Sequence, residues 1–178
     1  MAASSKEKDY VHILYKSLTE YFGPISMCVV QVSAWEMTLP AMKEENLREK
    51  YSSAAEFDAD LIVVRIGENI DMNHTNVTEL SESFQNMIAF FGGEKENVDV
   101  VLTGMFWNYP QHEEAVKHSL EGKHYHYVCL ADLGMDEEMT AMGLFEHTGV
   151  AVHPGDLGME HIARRIMNQV QKIYPQDA

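Results

Sequence analysis

The sequence predicts a three-layer α/β domain with a mostly parallel sheet, and two observations predict it. Short apolar runs typical of strands alternate with longer segments whose apolar residues recur at helical spacing. The run from Asp60 to Ile66 is almost continuously apolar, which is the pattern of a strand covered on both faces in a parallel sheet. Strands that alternate with helices in this way favour parallel βαβ units.

The elements follow one another without a linker, repeat or low-complexity stretch. The apolar periods predict, in chain order, a helix over 6–22, a strand over 25–33, a helix over 44–57, a strand over 60–66, a helix over 76–91, a strand over 98–104, a helix over 111–121, a strand over 125–131, a short helix over 136–143 and a last helix from 156. We therefore expect a single domain over residues 1–178.

Local signals mark the ends of several helices. Ser4 to Glu7 fits a capping box, and Gly23-Pro24 ends the helix that follows. Asn76 with Glu79 three residues later predicts the start of another helix. Asp156 is the predicted N-cap of the last helix.

Composition excludes some classes of function. The 178 residues are 46% hydrophobic and carry a net charge of −15, which opposes binding to nucleic acid or to an anionic membrane. No signal-peptide pattern or membrane-length apolar stretch is present, which favours the cytoplasm. Cys28 and Cys129 lie in apolar strand-like runs, typical of small core residues rather than of a disulfide framework.

Ligands of open parallel sheets bind beyond the carboxyl ends of the strands. The segments that follow the predicted strands are Ala34–Glu36, Gly67–Asn69, Trp107-Asn108, Asp132 and the loop that leads to His153. Gly67 and Asn69 could supply a close backbone approach and an amide donor, which are the parts of an oxyanion hole. Taken alone, the same residues are more typical of an ordinary turn.

His153 precedes Pro154 and Gly155 directly before the last helix. An imidazole held by such a turn at the mouth of a sheet is a candidate general base. Taken alone, His153 is also typical of a surface loop histidine, one of nine histidines in the chain.

Together, Gly67-Glu68-Asn69 after a middle strand and His153-Pro154-Gly155-Asp156 before the final helix resemble the third and fifth sequence blocks of the SGNH (GDSL-like) hydrolases. Block order, spacing and the long amphipathic last helix also fit, so the resemblance spans essentially the whole chain. It implies a flavodoxin-like three-layer sheet and hydrolysis of a small ester, such as an acetyl group on a carbohydrate, without a cofactor or metal.

The resemblance also implies residue roles. Asn69 would donate its amide to an oxyanion, Gly67 would shape that loop, and His153 would be the general base. Ala34 is the nearest counterpart of the second-block glycine. The residues placed to contact substrate are Trp35, Glu68 and Trp107.

The sequence departs from the family pattern at the nucleophile and at the triad acid. No Gly-Asp-Ser or Gly-Asn-Ser triplet occurs, so we expect an N-terminally truncated domain that lacks its first strand and is inactive or impaired. Ser4 and Ser5 are read as helix-cap residues. Val150 stands where the family places the triad Asp, which leaves Glu146 and Asp156 as candidates or a Ser-His dyad.

A truncated sheet has exposed edges, which favours a homo-oligomer.

The alternative to an esterase is a non-catalytic domain of the same fold that binds a carbohydrate or another small ligand. A metal site at His124 and His126 is disfavoured because no spacing supplies a third ligand.

Overall fold

The computed structural model describes residues 2–38 and 44–176, which form a mixed α/β structure with seven α-helices and a small sheet. The chain makes two compact units. Unit 1 comprises Met1–Met27, Phe106–Asn108 and Val128–Ala178, and unit 2 comprises Cys28–Met105 and Tyr109–Tyr127. The single domain expected from the sequence stays a prediction.

The sheet has three strands in the order β1-β2-β3. The strands are β1 (Leu61–Val64), β2 (Asp99–Thr103) and β3 (Tyr125–Val128). β1 and β2 pair in parallel, with Leu61 opposite Asp99. The predicted α/β class with a parallel sheet is thus confirmed, on a sheet smaller than expected.

Four of the described helices belong to unit 2, together with most of this sheet. They are α2 (Ser33–Thr38), α3 (Glu44–Ala55), α4 (Val77–Phe90) and α5 (Pro110–Ser119). The Asn76 side chain accepts from the Glu79 backbone N–H at 2.9 Å, which confirms the predicted start of α4. The buried core includes Trp35, Leu80, Phe84, Ile88, Val100 and Leu102.

The strand predicted over 25–33 is not formed. Residues 25–32 have neither helical nor strand structure, and α2 begins at Ser33. Met27 and Val29 are exposed, and β1 pairs only with β2 within the described sheet. Apolar β-branched composition predicts a strand only where a neighbouring strand is available to pair with it.

Both cysteines are exposed, so the prediction that they are core residues is wrong. Cys28 lies in the segment that forms no strand, and Cys129 follows the last residue of β3. A cysteine is buried when the helix or strand that contains it packs against the core. Neither Cys28 nor Cys129 lies within a helix or strand.

Unit 1 is built on two helices that pack together, α1 (Tyr10–Phe22) and α7 (Asp156–Ile173). A short helix, α6 (Thr148–Ala151), precedes α7. In place of the helix predicted over 136–143 the structure has a 3-10 turn, Glu137–Met139, and another 3-10 turn, Leu133–Met135, precedes it. None of the described helices is both long enough and apolar enough to cross a membrane.

Two predicted caps in unit 1 are wrong. A 3-10 turn occupies Lys6–Lys8, and Ser5 caps it without a side-chain hydrogen bond. The α1 cap is Asp9, whose side chain accepts from the His12 backbone N–H. Gly155 is the N-cap of α7, and Asp156 is its first helical residue. Carboxylates stabilise both positions of a helix start, so sequence alone does not separate them.

Candidate active site

Gly67 lies three residues beyond the end of β1 and has a φ of +135°. A Cβ there would lie 2.7 Å from Met105 Cγ and would collide with the His112 ring. The position therefore requires glycine for its backbone angle and for space. This conformation directs the Gly67 N–H to Glu36 Oε1, at 2.5 Å.

Asn69 donates to the same carboxylate. Its Nδ2 lies 2.8 Å from Glu36 Oε2. Glu36 is 6% exposed, whereas Asn69 is exposed. The two residues that the sequence assigned to an oxyanion hole thus both donate to the carboxylate of Glu36, each to a different oxygen.

His112, on α5, lies against Gly67 and is 1% exposed. Its ring meets the Phe84 ring edge-on, at a centroid distance of 5.5 Å. Burial lowers the pKa of His112 to about 4, against the opposing effects of Glu68, Glu113 and the Ile66 backbone. Neither ring nitrogen makes a hydrogen bond of normal geometry within the described residues, so the imidazole is a neutral packing group near pH 7.

Glu68 is paired with Arg65. The two side chains are 17% and 13% exposed, and Glu68 Oε1 lies 2.6 Å from the Arg65 guanidinium. Glu113 accepts a hydrogen bond from Tyr127. Several ionisable groups therefore lie near the carboxyl end of this sheet. Glu68 is in an ion pair with Arg65, and its contact with substrate stays a prediction.

Trp35 does not reach a ligand-binding surface. It is 1% exposed and packs against Phe84 with a ring-centroid distance of 5.6 Å. The prediction that Trp35 contacts substrate is corrected by this burial, because α2 turns the indole into the core. Ala34, in the first turn of α2, is half-buried, and its role as a backbone donor stays a prediction.

His153 belongs to unit 1, where the backbone fixes it on both sides. Its N–H donates to Val150 O at 3.1 Å, and its carbonyl accepts from the Ala141 N–H at 2.9 Å. The His153 ring meets the Trp107 ring at a centroid distance of 4.8 Å. Trp107 Nε1 donates to Val152 O at 3.2 Å, so the indole is anchored beside the imidazole.

Neither candidate triad acid is assigned that role by its described contacts. The Asp156 carboxylate accepts from Ser4 N–H and Ser4 Oγ, each at 2.7 Å, and from Lys8 Nζ at 2.6 Å. The hydrogen bond from Lys8, followed by those from Ser4, lowers the pKa of Asp156 to about 2. Glu146 is exposed. The identity of the triad acid stays a prediction.

Sequence reasoning placed Glu36 beyond a strand but gave it no role, and it missed His112. The sequence did contain a signal for Glu36, namely a carboxylate next to Trp35 in an apolar stretch. If such a carboxylate is buried it needs hydrogen-bond donors, so its position predicts donors nearby. No comparable signal marks His112. Its burial depends on the packing of α5 against α4.

No protein-family model, no curated protein and no solved structure matches this chain. Within residues 2–38 and 44–176, no three His, Cys, Asp or Glu side chains are grouped so that they could hold a metal ion.

Proposed function

We propose that this chain is an ester hydrolase of the SGNH type, with its flavodoxin-like sheet, in which Gly67 and Asn69 bind the oxyanion and His153 is the general base. The observation that carries the proposal is the convergence of the Gly67 N–H and the Asn69 amide on one carboxylate. Neutral donors that hold a negatively charged group are the type of group that stabilises the oxyanion of a tetrahedral intermediate.

The chemistry follows from these roles. A serine Oγ attacks the acyl carbon, and its proton passes to His153. The carbonyl oxygen becomes an oxyanion held by Gly67 and Asn69. The C–O bond to the alcohol then breaks, and His153 returns the proton to the leaving oxygen. Water then gives a proton to His153 and attacks the acyl carbon. The bond from that carbon to the serine oxygen breaks, and His153 returns the proton to the serine. No serine of the chain is assigned as the nucleophile.

The substrate class is a small ester, with the acetyl ester of a carbohydrate as the specific case. Trp107, anchored beside His153, offers an aromatic surface for the alcohol part. Trp35 is excluded from that role by its burial.

The test is hydrolysis of p-nitrophenyl acetate by the chain and by Asn69→Asp and His153→Ala. No serine is assigned as the nucleophile, so the wild-type rate should be the residual one that oxyanion binding and His153 supply. We expect each substitution to lower that residual rate by up to about 10²–10³-fold, the cost of losing an oxyanion donor. The matched controls are Asn86→Asp and His147→Ala, two exposed residues that should leave the rate unchanged. Equal rates in all five proteins would contradict the assignment.

A non-catalytic ligand-binding domain is the second candidate. It is favoured by one observation, namely that the donor pair holds an anion while no Gly-Asp-Ser or Gly-Asn-Ser triplet occurs in the sequence. Absence of hydrolysis in every variant, together with retained binding of a small ligand at Asn69, would select it.

A further inference from the structure

We propose that Glu36 is an exchangeable internal occupant of an anion site in unit 2, and that this site binds small carboxylates when Glu36 leaves it. The inference rests on the proposed function only for the identity of the donors. It adds a ligand class, the monocarboxylates, which are also the acid products of ester hydrolysis.

The site is built for a carboxylate. Gly67 N–H and Asn69 Nδ2 each bind a different oxygen of the Glu36 group, which is a bidentate arrangement. The left-handed backbone of Gly67 and the His112 ring behind it fix the direction of the N–H. A free carboxylate has the same two oxygens at the same separation and would satisfy the same donors.

The Glu36 carboxylate has no cationic partner among the described residues. Its hydrogen bonds go to two neutral groups, and the nearby Arg65 guanidinium pairs with Glu68. A buried carboxylate without a counter-ion is held less firmly than one in a buried ion pair. Tyr51 also experiences this charge, because burial first and then Glu36 raise the pKa of its hydroxyl.

The two donors differ in exposure. Gly67 and Glu36 are buried, but Asn69 is exposed. We expect a small anion to approach the donors from the exposed Asn69 once Glu36 has left them. Glu36 prevents this in the native chain because its own carboxylate is tethered, and tethering gives it a high effective concentration.

The experiment is an acetate titration followed by ¹⁵N–¹H NMR of protein labelled with ¹⁵N-glycine, which carries 11 glycines. The proteins are the wild type, Glu36→Ala, Glu36→Gln and the control Glu82→Ala, an exposed carboxylate on α4. Sodium chloride at matched concentration controls for ionic strength.

In Glu36→Ala we expect a saturable shift of the Gly67 amide resonance with a Kd of about 1–10 mM, the range open to a ligand of four heavy atoms. In the wild type and in Glu82→Ala the apparent Kd should be at least about tenfold weaker. Glu36→Gln should fall between them, because its amide oxygen still accepts from one donor.

A folded Glu36→Ala whose Gly67 amide shows no saturable response to acetate would overturn the inference. If that variant does not fold, Glu36→Gln against the wild type decides, and equal affinities would overturn it. Failure of the esterase proposal looks different, since acetate would still bind while p-nitrophenyl acetate is not hydrolysed. If Glu36→Ala does not bind acetate while hydrolysis still depends on Asn69, this inference is wrong and the proposed function is not.

Discussion

In unit 2 a carboxylate and an imidazole lie in the interior, whereas the ion pairs that Asp156 and Asp132 make in unit 1 lie nearer its surface. Glu36 and His112 are 6% and 1% exposed. In unit 1, Asp156 bonds Lys8, and Asp132 binds Arg165 through both carboxylate oxygens. Among the buried polar residues of the described chain, Asp9 is the one that belongs to unit 1, and the others are Glu36, Thr75, Ser81, Thr103, His112 and Ser119.

This difference predicts in which unit a substitution changes the free energy of unfolding most. A buried polar group costs free energy unless it is hydrogen-bonded. Substitutions at Gly67, which donates to Glu36, and at the buried His112 should therefore strongly affect the stability of unit 2. Solvent screens the surface pairs of unit 1. The chain has two tryptophans, Trp35 in unit 2 and Trp107 in unit 1, so 5-fluorotryptophan labelling gives one ¹⁹F signal for each unit.

The largest effect should come from Gly67→Ala. The added Cβ meets a left-handed backbone and the His112 ring at once. Strain and overpacking together should lower the free energy of unfolding reported by Trp35 by about 4 kcal/mol. Urea unfolding followed by the ¹⁹F signal measures it.

Gly122→Ala is the control for Gly67→Ala, since Gly122 also has a positive φ, of +70°, but nothing lies within 4 Å of its added Cβ. It should cost about 1–2 kcal/mol, the backbone term alone. Equal costs for the two substitutions would show that the close packing of His112 under Gly67 is wrong.

The next effect is the pH dependence of unit 2. The pKa of His112 falls from 6.5 to about 4 on folding because the ring is buried. Between these values the unfolded chain binds the proton and the folded chain does not. The stability contribution is therefore complete above pH 6.5 and is lost as the pH falls toward 4, by roughly 3 kcal/mol in all.

His112→Leu should flatten that pH dependence of the free energy of unfolding, measured by urea titrations between pH 4 and pH 7. The control is His118→Gln on the same helix, where the side chain is 53% exposed, and it should keep the wild-type slope. An unchanged slope in His112→Leu would exclude His112 as its source.

The smallest effect is expected at Asp156 in unit 1. Asp156→Asn weakens the hydrogen bonds to Ser4 and Lys8 and should cost about 1 kcal/mol. The pKa of Asp156 is lowered from 3.8 to about 2. The wild type should thus keep this contribution above pH 3.8 and lose it as the pH falls through 2.

The measurement for Asp156 is amide hydrogen exchange at Ser4, which should accelerate about fivefold for 1 kcal/mol. Glu160→Gln, an exposed residue on the same helix, is the control and should leave Ser4 unchanged. A loss at Asp156 as large as that at Gly67 would break the comparison between the two units.

Much of the fold could be predicted because its signals are local. The apolar periods located α4, β1 and β2, and the Asn76 cap marked the first residue of α4. Gly67 and Asn69 were identified from their position beyond a buried strand, and the structure brings both to one carboxylate. The segment 25–33 could not be judged in this way, because whether a strand forms depends on a neighbour distant in sequence.

The sequence by itself determined the α/β class, the strand that precedes Gly67 and Asn69, and the helical stripe of α7, because hydrophobic period and turn chemistry are properties of neighbouring residues. Only the tertiary structure decided that Trp35 is buried, that Glu36 occupies the donor pair and that His112 lies beneath Gly67. Each of these depends on contacts between elements far apart in the chain, where packing sets burial, and burial in turn sets charge and hydrogen bonding.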